Sequence, residues 1–207
     1  MTRDKWEELF QSVIEHIREN HEQEINDAYD YFWEEDDPEE FLGGTTLAMG
    51  FHNFEDWMVC DYVDKPTGKT FIESYINAKS PSAEDKSALG AMQDSHISLF
   101  EIKSVGDTVT LTDICSESEI TLADDRLKCL SPGDMFGARI LELGDDRIMT
   151  NAIYPFGSKY KDAVMKHLEG MYKRYEKHYD DPTMQKFLRQ ETYTINTVWV
   201  TCLFRAK

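Results

Sequence analysis

His52, Asp56 and Cys60 are the side chains of this chain most readily grouped as metal ligands. A spacing of four puts all three on adjacent turns of one helix face, and imidazole, carboxylate and thiolate are donors that zinc accepts. A structural site also needs a fourth ligand and outer partners that orient the first three. The trio is therefore read as an ordinary helix face, and no metal is assigned. His16 and His21 are five apart and do not share a helix face well. There is no His-Glu-x-x-His and no calcium-loop pattern. Asp36-Asp37 and Glu39-Glu40 could hold Mg²⁺ weakly, but acid enriched at a helix start accounts for them more economically.

Covalent chemistry is equally unmarked. Gly43-Gly44 runs into Thr45-Thr46 with no lysine, so no phosphate-cradling loop is indicated. No serine lies in a G-x-S-x-G elbow. The enzymatic reading left open is hydrolytic or metal-assisted, with a site assembled from separated Asp and Glu together with His52, His96 and His167. No catalytic or cofactor-binding residue, and no cofactor, is assigned.

The elements that would position such groups are clearer. Trp6, Leu9, Phe10, Val13, Ile14 and Ile17 keep helical spacing, and after a polar stretch the stripe resumes at Ile25, Ala28, Tyr29 and Phe32. This predicts one long helix or two in series over 3–35. Asp37-Pro38 predicts a capped short helix, Phe51–Met58 another helix, Lys65–Gly68 a turn and Phe71–Ile76 a further helical piece. Ser80 is expected to cap a helix with Pro81 in its first turn. Short strands follow at about 96–104, 107–114, 118–123, 134–143 and 146–153, with turns at Val105–Asp107 and Gly144–Asp146. The Ser131-Pro132-Gly133-Asp134 turn launches one of them, with positive φ expected at Gly133. Phe136, Ala138 and Ile140 then share one face, and Gly137 and Arg139 the other, where Arg139 is expected to be replaceable. Residues 159–178 read as helix, Asp181-Pro182 opens another, and Thr192–Phe204 is read as helix on its spacing despite its strand-forming content.

The fold expected is α+β, with helices flanking a small antiparallel five-stranded β-barrel or strongly bent sheet. Residues 1–94 form an N-terminal helical region, 95–155 the barrel-like region and 156–207 a C-terminal helical region, together one compact unit.

The 207 residues carry a net charge of −18, unevenly placed. Residues 1–157 hold 12 Lys and Arg against 34 Asp and Glu, whereas 158–207 hold 10 against 6. So acidic a front repels phosphate backbones and argues against nucleic acid as the partner. It suits a solvated helix face, or a docking surface for a basic protein. A basic cluster of Lys159, Lys161, Lys166, Lys173, Arg174 and Lys177 leaves RNA contact as a further alternative. The four cysteines are scattered without C-x-x-C spacing, the start of the chain carries no export signal, and no apolar run reaches a membrane span. A cytoplasmic protein that does not touch the membrane is expected.

From Phe54 onward the chain resembles a family of uncharacterised prokaryotic proteins associated with SEC-C-type metal-binding tails. The matching pieces are Phe54-Glu55-Asp56-Trp57 with Asp61-Tyr62, Ser95–Ile102, Leu111–Ile114, Leu130–Ile140, the helix ending near Tyr179 and the Trp199 segment. That tail is a Cys-rich zinc motif, and no clustered cysteines occur here, so zinc does not carry over. The resemblance implies no catalytic residues. The expected function is a non-enzymatic interaction or regulatory module with a protein partner.

Overall fold

Trp6, Leu9, Phe10, Val13, Ile14 and Ile17 are buried along one side of α1 (Arg3–Asn20) in a computed structural model that describes residues 1–144 and 146–205. The Thr2 hydroxyl caps this helix by accepting from the Lys5 N–H. At His21 the backbone leaves helical geometry (φ −138°, ψ 42°), and α2 (Glu22–Trp33) starts immediately afterwards. The polar gap in the apolar stripe thus marks a junction between two helices in series. Asp37 accepts from Glu39 N–H and caps the 3₁₀ turn Pro38–Glu40, as its sequence requires. Then come α3 (Thr45–Cys60), the hairpin β1 (Val63–Asp64) with β2 (Lys69–Thr70), α4 (Phe71–Lys79) and α5 (Ala83–Asp94).

The expected cap at Ser80 is displaced. Ser80 takes left-handed backbone geometry (φ 48°) and ends α4, while Ser82 caps α5 by accepting from Asp85 N–H. Pro81 sits between the two roles, where its fixed φ and missing N–H separate one helix from the next.

The five longer strands are β3 (Ile97–Val105), β4 (Val109–Asp113), β5 (Glu119–Leu122), β6 (Met135–Leu143) and β7 (Asp146–Pro155). They form one antiparallel sheet in the order β5-β4-β3-β6-β7. Of the expected barrel or strongly bent sheet, the structure shows the five antiparallel strands without closure: among the described residues β5 and β7 end the sheet and do not pair with each other. Closure depends on pairing two edges far apart in sequence, which strand content alone does not determine. Of the expected turns, Val105–Asp107 connects β3 to β4, while Asp145 of the other lies outside the described residues. The chain ends in α6 (Lys161–Tyr175), α7 (Met184–Gln190), α8 (Thr194–Val200) and a π turn at Thr201–Arg205, so the ambiguous last stretch is helical.

The chain divides into two compact units. One contains Met1–Ser95 with Leu141–Asn151; the other contains His96–Ile140 with Ala152–Lys207. In the first, aromatic rings form the core: Phe32 lies 5.1 Å from Trp57, Trp57 5.6 Å from Tyr62, and Tyr62 5.6 Å from Phe71. Arg3 of α1 donates to the Asn151 side chain at 3.1 Å, which ties β7 residues to this unit. Among the described residues no helix is long and apolar enough to cross a membrane.

In the second unit, Gly133 has φ +90° and donates its N–H to the Ile102 carbonyl, as the Pro-Gly turn demands. The strand it launches is buried on both faces. Phe136 meets Phe100 at 5.9 Å on one face. On the other, a Cβ added at Gly137 would lie 2.7 Å from Ile195 Cγ2 and 3.2 Å from Tyr154 Cβ. Arg139 is 0% exposed, so the expectation that it is replaceable fails. Alternation tells that two faces differ, not that one of them is wet.

In urea titrations, Phe136→Ala is expected to destabilise by about 3–5 kcal/mol, and Gly137→Ala, by overpacking, by roughly 1–3 kcal/mol. Arg139→Ala, which removes a buried charged side chain, should cost at least about 2 kcal/mol. Arg147→Ala, an exposed pair with Glu142, should stay within about 0.5 kcal/mol. An Arg139→Ala variant as mild as Arg147→Ala would contradict the burial.

Candidate functional site

The break at His21 turns an imidazole out of the helix stripe and into a cavity of about 400 Å³ in the first unit. The cavity is lined from three directions: His21 and Glu24 from the start of α2, Asp64, Thr67 and Lys69 from the β1–β2 hairpin, and Thr70, Phe71 and Ser74 from α4. Each wall is locally fixed. Asp64 accepts from Thr67 N–H at 3.1 Å and from its hydroxyl at 2.6 Å, which closes the hairpin turn. Thr70 and Glu73 form a reciprocal capping box at the start of α4. Phe71 packs its ring edge-on to His21 at 5.3 Å.

His21 Nε2 lies 2.9 Å from Ser74 Oγ, and its Nδ1 lies 3.6 Å from Glu24 Oε1. A carboxylate beside Nδ1 favours the proton on that nitrogen and leaves Nε2 as the acceptor for the serine hydroxyl. Burial raises the pKa of the Tyr62 phenol, and the carboxylates of Asp27, Asp64 and Glu24 raise it further. Those three acids therefore concentrate negative potential around Tyr62, and two of them line the cavity. Such a place favours a cation.

Behind His21, the His16 ring approaches it edge-on at 5.8 Å. The five-residue spacing would keep them apart on one straight helix, so the encounter depends on the break. Nδ1 of His16 accepts from the Asn20 side-chain amide at 3.2 Å, while its buried Nε2 finds no hydrogen-bond partner among the described residues. Burial lowers the His16 pKa, with His21 and Lys79 adding to the effect.

The residues singled out from the sequence are placed differently. His52 is exposed, 3.5 Å from Glu55, whereas Asp56 and Cys60 are buried in α3. Among the described residues no group of three or more His, Cys, Asp or Glu side chains is arranged to hold a metal. His96 and His167 belong to the second unit. Burial lowers the His96 pKa, Arg139 and Arg189 add to that, and Asp113 opposes it. In the same unit, Asp113 accepts from Ser98 Oγ at 3.0 Å and from Cys115 N–H at 2.8 Å. The Cys115 thiol is pushed up by burial, away from the reactive thiolate.

Of the basic cluster, Lys161 pairs with Glu101 at 2.6 Å, and Lys159, Lys166, Lys173, Arg174 and Lys177 are exposed. A second cavity, of about 380 Å³, lies in that unit between Arg174, Tyr175, His178 and Tyr179 on one side and Phe187, Glu191 and Tyr193 on the other. Sequence reasoning missed His21, Glu24 and Ser74 as a group. The only signal was the interrupted stripe, which marks a junction without saying which way His21 turns.

The chain belongs to a family of unknown function (DUF7986), whose pattern matches residues 48–197. The match includes Ser74 and the hairpin wall of the first cavity; His21 and Glu24 precede it. No curated protein and no solved structure matches the chain.

His16 and His96 both titrate below the ordinary histidine value of about 6.5. As pH falls, the unfolded chain therefore takes up protons before the native state does, and stability drops from about pH 6.5 downward. The urea midpoint should be lower at pH 5.5 than at pH 7.5, and a His16→Gln/His96→Gln variant should show a smaller drop. An equal drop in the variant would contradict the assignment.

Proposed function

We propose that this member of a family of unknown function is a cytoplasmic interaction module that seats a basic segment of a protein partner in the acidic cavity of its helical unit. The observation that carries the reading is the convergence of Glu24, Asp27 and Asp64 around Tyr62, beside the cavity of about 400 Å³. An arginine or lysine side chain entering there exchanges water for carboxylates whose negative potential is already in place. The exposed acids of α2, among them Glu22 and Asp30, continue the same sign along the approach and speed encounter with a basic chain. Tyr31, 46% exposed, stacks on the buried Trp57 at 5.9 Å and offers a rigid aromatic contact on the same helix.

The test is fluorescence anisotropy with a labelled hexa-arginine peptide at 150 mM salt. Glu24→Gln/Asp27→Asn is expected to weaken binding about tenfold, equivalent to ~1.4 kcal/mol. A control pair with the same loss of charge, Glu8→Gln/Glu15→Gln on the exposed side of α1, should change it less than twofold. Equal losses in the two pairs would reduce the binding to unspecific attraction by net charge and refute the pocket.

A further inference from the structure

We propose that Ser74 is a nucleophile, activated by His21 and Glu24, that hydrolyses carboxylic esters bearing a positively charged group. This deepens the reading of the acidic cavity as a cation site and rests on it for the substrate class.

The three groups come from two helices and meet in the required order. Ser74 Oγ is 2.9 Å from His21 Nε2, within hydrogen-bond reach of a general base. On the far side of the ring, Glu24 Oε1 stands 3.6 Å from Nδ1. That is longer than a hydrogen bond, in the looser range common to nucleophile–base–carboxylate sets without a bound substrate. His21 is held by its place between α1 and α2 and by the Phe71 ring. Ser74 lies one turn inside α4, on the turn after the capping box, so its Cα is fixed by regular helix. All three groups line one cavity, and each is partly exposed, so a substrate can reach them.

The chemistry balances without a cofactor. Ser74 Oγ adds to the ester carbonyl carbon as its proton passes to His21 Nε2, and the carbonyl π pair moves to oxygen. Glu24 stabilises the resulting imidazolium. The intermediate collapses, the bond from carbon to the leaving oxygen breaks, and the departing alkoxide takes the proton from Nε2. Water then attacks the acyl-serine through the same base and restores the hydroxyl. Net consumption is one ester and one water; the products are an acid and an alcohol. Lys69, a cation among the lining residues, and the first-turn N–H of α4 at Phe71, also a lining residue, supply the positive potential that a developing oxyanion needs. Asp64 and the neighbouring Asp27 select for positive charge elsewhere on the substrate.

Full-length protein is treated with diisopropyl fluorophosphate and mapped by peptide mass spectrometry, and its turnover is measured on the p-nitrophenyl ester of N-blocked lysine and on neutral p-nitrophenyl acetate. Phosphorylation at Ser74 is expected, absent in Ser74→Ala and slowed about 100-fold or more in His21→Gln, the scale of a lost general base. Circular dichroism and urea midpoints establish that both variants fold. The lysine ester should be cleaved at least tenfold faster than the acetate, and Glu24→Gln should lower kcat. A folded protein that takes no label at Ser74, or labels equally in His21→Gln, overturns the nucleophile. Label at Ser74 with equal rates on both esters overturns the cationic substrate class. Hexa-arginine binding that depends on Glu24 and Asp27, with no label, refutes this inference and leaves the docking reading standing; label without such binding does the reverse.

Discussion

The single interruption of the N-terminal helix at His21 is the constraint on which the candidate site depends. A continuous helix from Arg3 to Trp33 would carry His21 past the face that packs on α4. Ending α1 one residue earlier, with the His21 N–H still bonded to the Ile17 carbonyl, swings the imidazole toward Ser74 and sets Glu24 one turn further on. The same break brings the His16 ring edge-on to His21. Burial, with His21 and Lys79 adding to it, lowers the His16 pKa, while its Nδ1 accepts from the Asn20 amide.

The aromatic core of the first unit holds the site's other walls. Phe71 both stacks on Tyr62 and meets the His21 ring, so the start of α4 is fixed by packing before any polar contact forms. Tyr62 in turn packs on Trp57. Apolar burial of this kind, about 25 cal/mol per Å² removed from water, does the positioning; the polar groups are arranged on a surface that is already rigid. Asp64 serves the turn through Thr67 and also adds negative potential around Tyr62, one carboxylate with two roles.

Much of the scaffold was legible before the structure. Period and caps located the helical stretch over 3–35, the Asp37-capped turn and the strands of the sheet, because each is set by local rules. What failed was non-local. Strand content did not tell that, among the described residues, β5 and β7 stand at opposite ends of the sheet without pairing to each other. Alternation placed Phe136 and Arg139 on opposite faces correctly, yet Arg139 is 0% exposed because both faces are covered. Ser80 yielded its cap to Ser82 because two serines flank one proline, and either satisfies the rule. The grouping of Ser74 with His21 spans 53 positions, a separation that no spacing rule reaches. The metal-like trio, by contrast, was conspicuous in sequence, yet the structure exposes His52 and buries Asp56 and Cys60.

The whole site turns on whether His21 Nε2 accepts from the Ser74 hydroxyl while Nδ1 faces Glu24. Long-range ¹H–¹⁵N correlation of the histidine side chains at pH 8, with His21 assigned by its loss in His21→Gln, reads the tautomer directly. His21 is expected in the Nδ1–H form, and His16, which accepts at Nδ1 from Asn20, in the opposite Nε2–H form in the same spectrum. An Nε2–H tautomer at His21 would make the ring the donor and Ser74 the acceptor, and would contradict that arrangement.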